Sequence, residues 1–226
     1  MAKALVVVGF GPGISSAVAE KFGASGFTVA LVARNQGKLT AGVKALEAKG
    51  IRAAAFVADA GDSASIRAAI RQAHAALGSI AAIHWNAYGA EAGDLVTAEP
   101  AAMRRIFDVA IGGLVAAVQE ALSDLKETKG AVLVTNGAFG EINPQIDAFA
   151  VGAKAMGLAV ANAAKHKLVG LLAERLKGDG IYVGEVMVAG SVKVTASDNG
   201  TVLAATIADK FWELYQARRE IRARVS

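Results

Sequence analysis

The hydrophobic pattern at the start of the chain alternates between two kinds of segment. Residues 5–8 form a continuous apolar run, which is typical of a parallel strand buried on both faces. After three closely spaced glycines, Val18 and Phe22 lie four positions apart, as they do on one face of a helix. A second apolar run follows at 29–32. The pattern therefore predicts a strand–helix–strand unit with a glycine-rich turn before its helix.

The same alternation continues along the chain. Apolar runs predict further strands at 53–57, 80–85, 131–135 and 181–188. Helical spacing predicts helices at 36–49, from Asp62 or Ser63 to 77, at 101–125, up to about 177 after an irregular segment, and at 207–223. Because strands and helices alternate without a linker, we predict a single domain over 1–226. Its fold class is α/β, a Rossmann-like doubly wound parallel sheet in a three-layer α/β/α sandwich.

The glycine-rich turn consists of Gly9, Gly11 and Gly13, directly after the first predicted strand. Glycines let the backbone turn sharply and approach a pyrophosphate without a Cβ in the way. The free N–H groups at the start of the following helix then hold the phosphate charge. A tight strand-to-helix turn also favours glycine, but the flanking strands favour dinucleotide binding.

The residue after the second predicted strand indicates which dinucleotide binds. An acidic residue about 20 positions past the glycines would accept hydrogen bonds from the ribose hydroxyls of NAD. This chain instead has Arg34 and Asn35 there, with Lys38 one turn later. Because a guanidinium pairs well with a 2′-phosphate, we predict NADP(H) as the cofactor. The alternative is a solvated surface arginine.

Composition narrows the class of protein. The 226 residues contain no cysteine, which excludes disulfides, thiolate nucleophiles and thiolate metal sites. Hydrophobic residues make up 54% of the chain, but no charge-free run reaches the roughly 18 residues that a membrane span requires. The three histidines are scattered without metal-ligand spacing, so we predict no metal site. We expect a cytoplasmic protein with no membrane partner.

Basic residues concentrate at one place only, at Arg218, Arg219, Arg222 and Arg224. Such a cluster can bind nucleic acid. The solvated face of a terminal helix is the simpler interpretation, and a cofactor with several phosphates already accounts for a net charge of +4. We therefore do not expect nucleic acid as a partner.

The order and spacing of these motifs resemble the short-chain dehydrogenase/reductase family over nearly the whole chain. The turn from Gly9 to Ile14 stands where the family has Gly-x-x-x-Gly-Ile, although Ser15 replaces the usual last glycine. Two further motifs, after the third and fourth strands, resemble an adenine-contacting Asp and an Asn-Ala-Gly segment beside the cofactor. Residues 189–192 stand at a turn that contacts the nicotinamide end in the family. Together with the patterns above, the resemblance implies cofactor binding by Gly9, Gly11, Gly13, Ile14, Arg34, Asn35, Lys38, Asp59, Ala60, Asn86, Ala87 and Val192.

The catalytic half of the family pattern is not matched. The family reduces a carbonyl with an Asn, a Ser, and a Tyr four residues before a Lys, because hydride arriving at carbon leaves an alkoxide that needs a proton. Ala110 stands at the Asn, and Asn136 or Gly137 stands at the Ser. We therefore predict an atypical member that lacks the Ser/Tyr/Lys set.

The tyrosine and lysine positions can be aligned in two registers. One places Ala150 and Lys154 there; the other, counted back from the sixth strand, places Leu158 and Asn162 there. We favour the second, with an insertion of about eight residues around 140–157, because the helix from Asn162 then has the usual length. Neither register supplies a tyrosine.

Three residues remain as catalytic candidates. Tyr88 follows the fourth strand at the edge where open α/β sheets bind ligands, and it can donate a proton or form an aromatic wall. Asn136 can hydrogen-bond a carbonyl or its own turn. Lys154 can orient a ribose or be solvated.

Two helical stretches, 109–122 and 156–172, are apolar on more than one face, which favours a homodimer or homotetramer over internal packing of small residues.

The expected function is an NADP(H)-dependent oxidoreductase of short-chain dehydrogenase type, acting on a small carbonyl or alcohol substrate with a non-standard proton donor. The alternative is a catalytically silent NADP(H)-binding sensor or scaffold.

Overall fold

A parallel sheet organises the molecule, whose computed structural model describes residues 3–195 and 197–226. The strands are β1 (Lys3–Val8), β2 (Phe27–Ala33), β3 (Ala53–Val57), β4 (Ile80–Trp85), β5 (Ala131–Gly137), β6 (Tyr182–Val188), β7 (Val192–Lys193), β8 (Val202–Leu203) and β9 (Arg222–Val225). Seven of them form one sheet in the order β3-β2-β1-β4-β5-β6-β9, with every neighbouring pair parallel. The two short strands β7 and β8 pair with each other.

Helices connect the strands and cover both faces of the sheet. They are α1 (Ile14–Ala24), α2 (Gln36–Glu47), α3 (Ser63–Leu77), α4 (Pro100–Phe107), α5 (Gly113–Glu120), α6 (Leu122–Glu127), α7 (Pro144–Gly152), α8 (Met156–Lys177) and α9 (Ala204–Ala217). A π-helical turn, Asp108–Gly112, links α4 to α5, and a 3₁₀ turn, Ala138–Gly140, follows β5. Among the helices of the described residues, none combines the length and hydropathy that a membrane crossing requires.

The two largest apolar cores lie on opposite faces of the sheet. On one face, Ile66 of α3, Leu114 of α5 and Val169 of α8 pack on alternate strand residues. On the other face, Phe22 of α1 and Phe211 of α9 are fully buried with Leu39 of α2. Strands covered on both faces explain the continuous apolar runs in the sequence. The predicted α/β/α fold class, with its doubly wound parallel sheet, is confirmed.

Local sequence patterns predicted the bounds of several helices and strands correctly. The predicted bounds of β3 and β4 agree with the observed ones. The helix predicted to start at Asp62 or Ser63 is α3, and Asp62 caps it by accepting a hydrogen bond from the Ala64 amide at 2.9 Å. A capping carboxylate satisfies an N–H that the helix leaves unpaired, which is why the sequence signal and the boundary agree.

The prediction of a terminal helix over 207–223 is wrong beyond Ala217. The helix ends because Arg218 adopts a left-handed conformation with φ 51°, and its guanidinium donates to the backbone carbonyls of Tyr215 and Lys129. The following residues form β9, which pairs with β6 and adds a seventh strand. The arginines of this region therefore do not share one helical face.

The segment predicted to be irregular contains α7, which Asn143 caps by accepting a hydrogen bond from the Gln145 amide at 2.9 Å. The stretch proposed as an insertion around 140–157 is thus a short helix followed by a turn. On α8, Val160 and Leu171 remain exposed. This exposed apolar face agrees with the hydrophobic pattern from which we predict a homo-oligomer. The homo-oligomer itself stays a prediction.

His84 lies on the α9 side of the sheet and is fully buried. Its Nε2 lies 3.0 Å from the Thr135 hydroxyl, and its ring packs edge-on against Phe211. Burial lowers the pKa of His84 from 6.5 to about 3, because the charged imidazolium would lose its hydration. The imidazole is therefore neutral in the folded protein at ordinary pH.

We expect His84 to make folding stability depend on pH. Below pH 6.5 the unfolded chain protonates this imidazole and the folded protein does not, so stability falls as pH drops towards 3. The loss at pH 4.5 should be about 2–3 kcal/mol. Urea unfolding at a series of pH values should show a flatter decline for His84→Gln than for the wild type. Thr135→Val keeps the imidazole and should keep the wild-type slope; identical slopes for all three proteins would contradict this assignment.

Candidate functional site

A cleft of about 600 Å³ opens at the carboxyl edge of the sheet. It lies where the strand order reverses between β1 and β4, which is where open α/β sheets bind ligands. Of the predicted site residues, those that line it are Gly9, Arg34, Asn35, Lys38, Asp59, Ala60, Asn86, Ala87 and Tyr88. The fold thus brings the four loops after β1, β2, β3 and β4 to one site.

The loops after β1 and β4 are in direct contact at the floor of the cleft. The Asn86 amide donates to the Val8 carbonyl at 2.9 Å, which extends the β1–β4 pairing past the strands. Gly9 has φ +82°, and a Cβ placed on it would lie 2.5 Å from the Ala87 nitrogen. Only glycine fits this conformation and this contact, so the first glycine of the turn is needed by the fold itself.

The turn leads into α1 through two further features. Ser15, which replaces the family's last glycine, is buried, and its hydroxyl accepts from the Gly11 amide and donates to the Gly11 carbonyl, both at 2.9 Å. The first helical N–H that bonds back is that of Ala17, to the Gly13 carbonyl. The preceding amides, beginning with that of Ile14, carry the partial positive charge of the helix start, which suits a phosphate.

Two cations face the cleft after β2. Arg34 and Lys38 are exposed, and within residues 3–195 and 197–226 neither has an acidic partner within 4 Å. Asn35 lines the cleft beside them, but its side-chain oxygen accepts a hydrogen bond from the Lys38 amide at 2.9 Å and caps α2. Its observed function is to fix the start of the helix that carries Lys38.

Asp59, after β3, forms an ion pair that the sequence did not reveal. Its two carboxylate oxygens accept from Arg105 Nη2 of α4 at 2.9 and 2.7 Å, and the Gly61 amide donates to Oδ1 at 2.9 Å. Burial raises the pKa of Asp59, but the hydrogen bonds from Arg105 and Gly61 outweigh it and the pKa lies below its usual value. The two residues are 46 positions apart, and nothing local distinguishes Arg105 from Arg104 beside it.

Val192 of β7 lies on the other side of the glycine turn. Its Cγ1 is 4.0 Å from the position that a Cβ on Gly13 would take. Gly11, Gly13, Ile14 and Val192 therefore sit together at the start of α1, beyond the lining of the 600 Å³ cleft. This placement extends the site from β2 to the loop after β6.

Asn136 is buried beneath the carboxyl edge and is fully occupied by the protein. Its Nδ2 donates to the Asn162 carbonyl at 3.0 Å and to Glu185 Oε1 at 2.5 Å, and its Oδ1 accepts from the Gly137 amide. These bonds support the interpretation that it holds its own turn. They leave no group of the side chain free for a carbonyl.

Glu185 of β6, only 1% exposed, lies beside basic side chains of α8 and β9. Its Oε2 lies 2.9 Å from His166 Nδ1, without the alignment of a hydrogen bond, and 3.4 Å from Arg222 Nε of β9. Burial lowers the pKa of nearby Lys165 to about 8, and the Glu185 carboxylate opposes that shift. The carboxylate thus ties β5, α8 and β9 together.

The two registers predicted for the tyrosine and lysine positions correspond to different parts of the structure. Lys154 is exposed in the turn between α7 and α8, with φ +51°, and is not part of α8. Asn162 lies within α8, 3% exposed, and its Nδ2 would be 2.7 Å from a Cβ on Gly137. The second register therefore faces the end of β5, and it places Leu158 one turn before Asn162.

Of the three tyrosines, Tyr88 alone lines the cleft, with 65% of its surface exposed. The Tyr182 hydroxyl donates to the Glu220 carbonyl at 2.6 Å, and burial raises its pKa to about 12. Tyr215 packs among Phe22, Phe27 and Trp212.

Among the described residues, no group of three or more His, Asp or Glu side chains could hold a metal ion.

Comparison with known proteins agrees with this geometry. Residues 3–200 match the family model described as short chain dehydrogenase. A short-chain dehydrogenase/reductase from Serratia marcescens superposes with a TM-score of 0.83 at 22% identity, covering 99% of this chain and 96% of that chain.

Two further solved structures resemble the chain over 99% of its length. One is a metagenomic short-chain oxidoreductase in complex with NADP, with a TM-score of 0.82, 23% identity and 95% of that chain covered. The other is a blue fluorescent protein from a metagenomic library in complex with NADPH, with a TM-score of 0.85, 24% identity and 96% of that chain covered. The chain shares its fold with these proteins.

We expect Gly9→Ala to destabilise the fold by about 2–4 kcal/mol, because a Cβ at positive φ is strained and would overlap the Ala87 backbone. Gly11→Ala is the matched control: no atom lies within 4 Å of its Cβ, so the free energy of unfolding should change by less than about 0.5 kcal/mol. Chemical denaturation of both variants tests this, and equal stabilities would show that the β1–β4 contact does not constrain the turn.

Proposed function

The chain belongs to the short-chain dehydrogenase family, and on this basis we propose that it is an NADP(H)-dependent oxidoreductase acting on a small carbonyl or alcohol. One observation carries the proposal: the cleft begins at Gly9 of the glycine turn, with the start of α1 beside it, and it contains Arg34 and Lys38, for which no carboxylate partner lies within 4 Å among the described residues. A diphosphate and a phosphorylated adenosine need these groups in this order along the cleft. Two structural relatives that were solved with NADP or NADPH support it.

Different residues in and beside the cleft would bind different parts of the cofactor. Amides at the start of α1 would hold the diphosphate, and the Arg34 guanidinium would bind the 2′-phosphate with Lys38 as a second cation. Asp59 and Ala60 would border the adenine, while Asn86 and Ala87 support the turn from the β4 side. When bound, NADPH supplies the hydride for reduction.

Arg34→Gln should weaken the binding of NADPH more than the binding of NADH. Loss of hydrogen bonds to a charged phosphate should raise the Kd for NADPH roughly ten- to a hundredfold, whereas the Kd for NADH should change less than about threefold. Isothermal titration calorimetry of wild type and variant with both cofactors gives these values.

Arg219→Gln is the matched control, because Arg219 is exposed and lies before β9, at the opposite edge of the parallel sheet. It should leave both affinities unchanged. A wild-type protein that binds neither cofactor would refute the proposed function. Equal losses of NADPH and NADH in Arg34→Gln would refute the assignment of Arg34 to the 2′-phosphate.

We propose Tyr88 as the proton donor of the reduction, in place of the family tyrosine. It supplies the cleft's phenol, and its exposure lets solvent reprotonate it after each turnover. As hydride arrives at the carbonyl carbon, the electron pair of the C=O bond moves to oxygen, and this oxygen takes the phenolic proton.

Tyr88→Phe should reduce kcat about a hundredfold or more and leave the Kd for NADPH unchanged, because only the hydroxyl is removed. Tyr215→Phe, in the aromatic cluster between α1 and α9, is the matched control and should retain full turnover. Stopped-flow or steady-state NADPH oxidation with an active carbonyl substrate measures both. Undiminished turnover by Tyr88→Phe would remove the only phenolic candidate.

A catalytically silent NADP(H)-binding protein is the second candidate. It is favoured by the face that α8 presents to the end of β5, where Leu158 and Asn162 stand at the positions aligned with the family's tyrosine and lysine. Tight NADPH binding without turnover across a broad panel of carbonyls and imines would establish this alternative. Turnover of any member of the panel would exclude it.

A further inference from the structure

Arg105 neutralises a carboxylate inside a cleft that has to receive an anion. Its Nη2 contacts both oxygens of Asp59, at 2.9 and 2.7 Å, and its side chain is about one-third exposed, as is that of Asp59. Both residues line the cleft together with Arg34 and Lys38. The ion pair is thus part of the wall of the cleft in which adenosine is proposed to bind, and not a distant surface contact.

The geometry around this ion pair fixes its position. Gly61 donates its amide to Asp59 Oδ1, and a Cβ on Gly61 would lie 3.2 Å from the guanidinium carbon of Arg105 and 3.1 Å from Val109 Cγ2. The guanidinium is therefore packed over the Gly61 backbone. The Asp59 amide in turn donates to the Ser65 hydroxyl at 3.1 Å, which holds the loop from its other side.

The charges in the cleft show why this position matters. Its acidic residues are Asp59 and Glu91, and its cations are Arg34, Lys38 and Arg105. Without Arg105, the two carboxylates would balance the two remaining cations, and the cleft would carry no net positive charge. Arg34 is also near enough to lower the pKa of Asp59, so a phosphate bound by Arg34 would experience the Asp59 charge.

We infer that Arg105 is a specificity-determining residue that favours the 2′-phosphorylated cofactor indirectly, by cancelling the charge of Asp59 beside the phosphate site. The inference rests on the proposed NADP(H) function. It assigns Arg105 no contact with the phosphate. The guanidinium stays on Asp59, and Arg34 remains the phosphate ligand.

The test uses two fragments that differ only in the phosphate of interest, adenosine 2′,5′-bisphosphate and adenosine 5′-monophosphate. Calorimetric titration of the full-length chain with each gives a selectivity, the ratio of the two Kd values. In Arg105→Gln this selectivity should fall on the order of tenfold, because the uncovered carboxylate repels the extra phosphate. Titrations with NADPH and NADH should show the same loss.

A double variant decides between an indirect and a direct effect. Adding Asp59→Asn to Arg105→Gln removes the exposed charge and should restore the selectivity to within about threefold of wild type. If Arg105 contacted the phosphate itself, Asp59→Asn would not restore it, and the inference would be overturned. Any effect of Asp59→Asn on the adenine that both fragments share should change the two Kd values by the same factor and cancel in their ratio.

The neighbouring arginine supplies the control. Arg104 is exposed on the same helix, and Arg104→Gln should leave the selectivity unchanged. Arg105→Lys retains the charge and should retain most of the selectivity, which provides a second variant if Arg105→Gln unfolds. Unchanged selectivity in a folded Arg105→Gln protein would overturn the inference while leaving the proposed function intact. A wild type that binds neither fragment nor NADPH would refute both together.

Discussion

The close approach of the loops after β1 and β4 is the constraint on which the site depends. Hydrogen bonding between Asn86 and Val8 continues the strand pairing into the loops, and Gly9 meets the Ala87 backbone with no space for a Cβ. This contact fixes where the glycine turn leaves the sheet and hence where α1 begins. The cations after β2 and the loop after β3 then line one cleft, and the helix start lies beside it.

Electrostatics gives that cleft its character. Arg34 and Lys38 have no carboxylate partner within 4 Å in the part of the chain that is described, whereas Asp59 is held by Arg105. A low-dielectric wall strengthens both effects, since charges near a protein surface interact more strongly than in water. The cleft suits a multiply phosphorylated ligand because Arg34 and Lys38 are available to bind phosphate, while Arg105 neutralises the charge of Asp59.

Much of the fold could be predicted from local sequence, whereas the features that were not predicted depend on contacts between distant residues. An apolar run located β4 because a strand buried on both faces has few polar positions, and the apolar run of β3 located that strand although it is only half-buried at the edge of the sheet. The strand β9 is four residues with alternating arginines, and only its pairing with β6 makes it a strand. Arg105 is similar: its partner is 46 positions away, and no motif marks it. The loops that line the cleft were predictable because their glycines and cations lie next to strand ends, whereas the buried bonds of Asn136 depend on β6 and α8.

The buried carboxylate of Glu185 has a consequence for how the protein is made. During synthesis β6 emerges well before residues 222–225, so its outer edge has no strand to pair with for the time that the intervening chain needs to leave the ribosome. An open apolar edge invites pairing with other nascent chains. A foreign strand without a basic residue at this register would leave Glu185 with only the basic side chains of α8, which makes such pairing less favourable. Arg222 adds a further cation 3.4 Å from the Glu185 carboxylate when β9 pairs, so this ion pair favours the native strand over a foreign one.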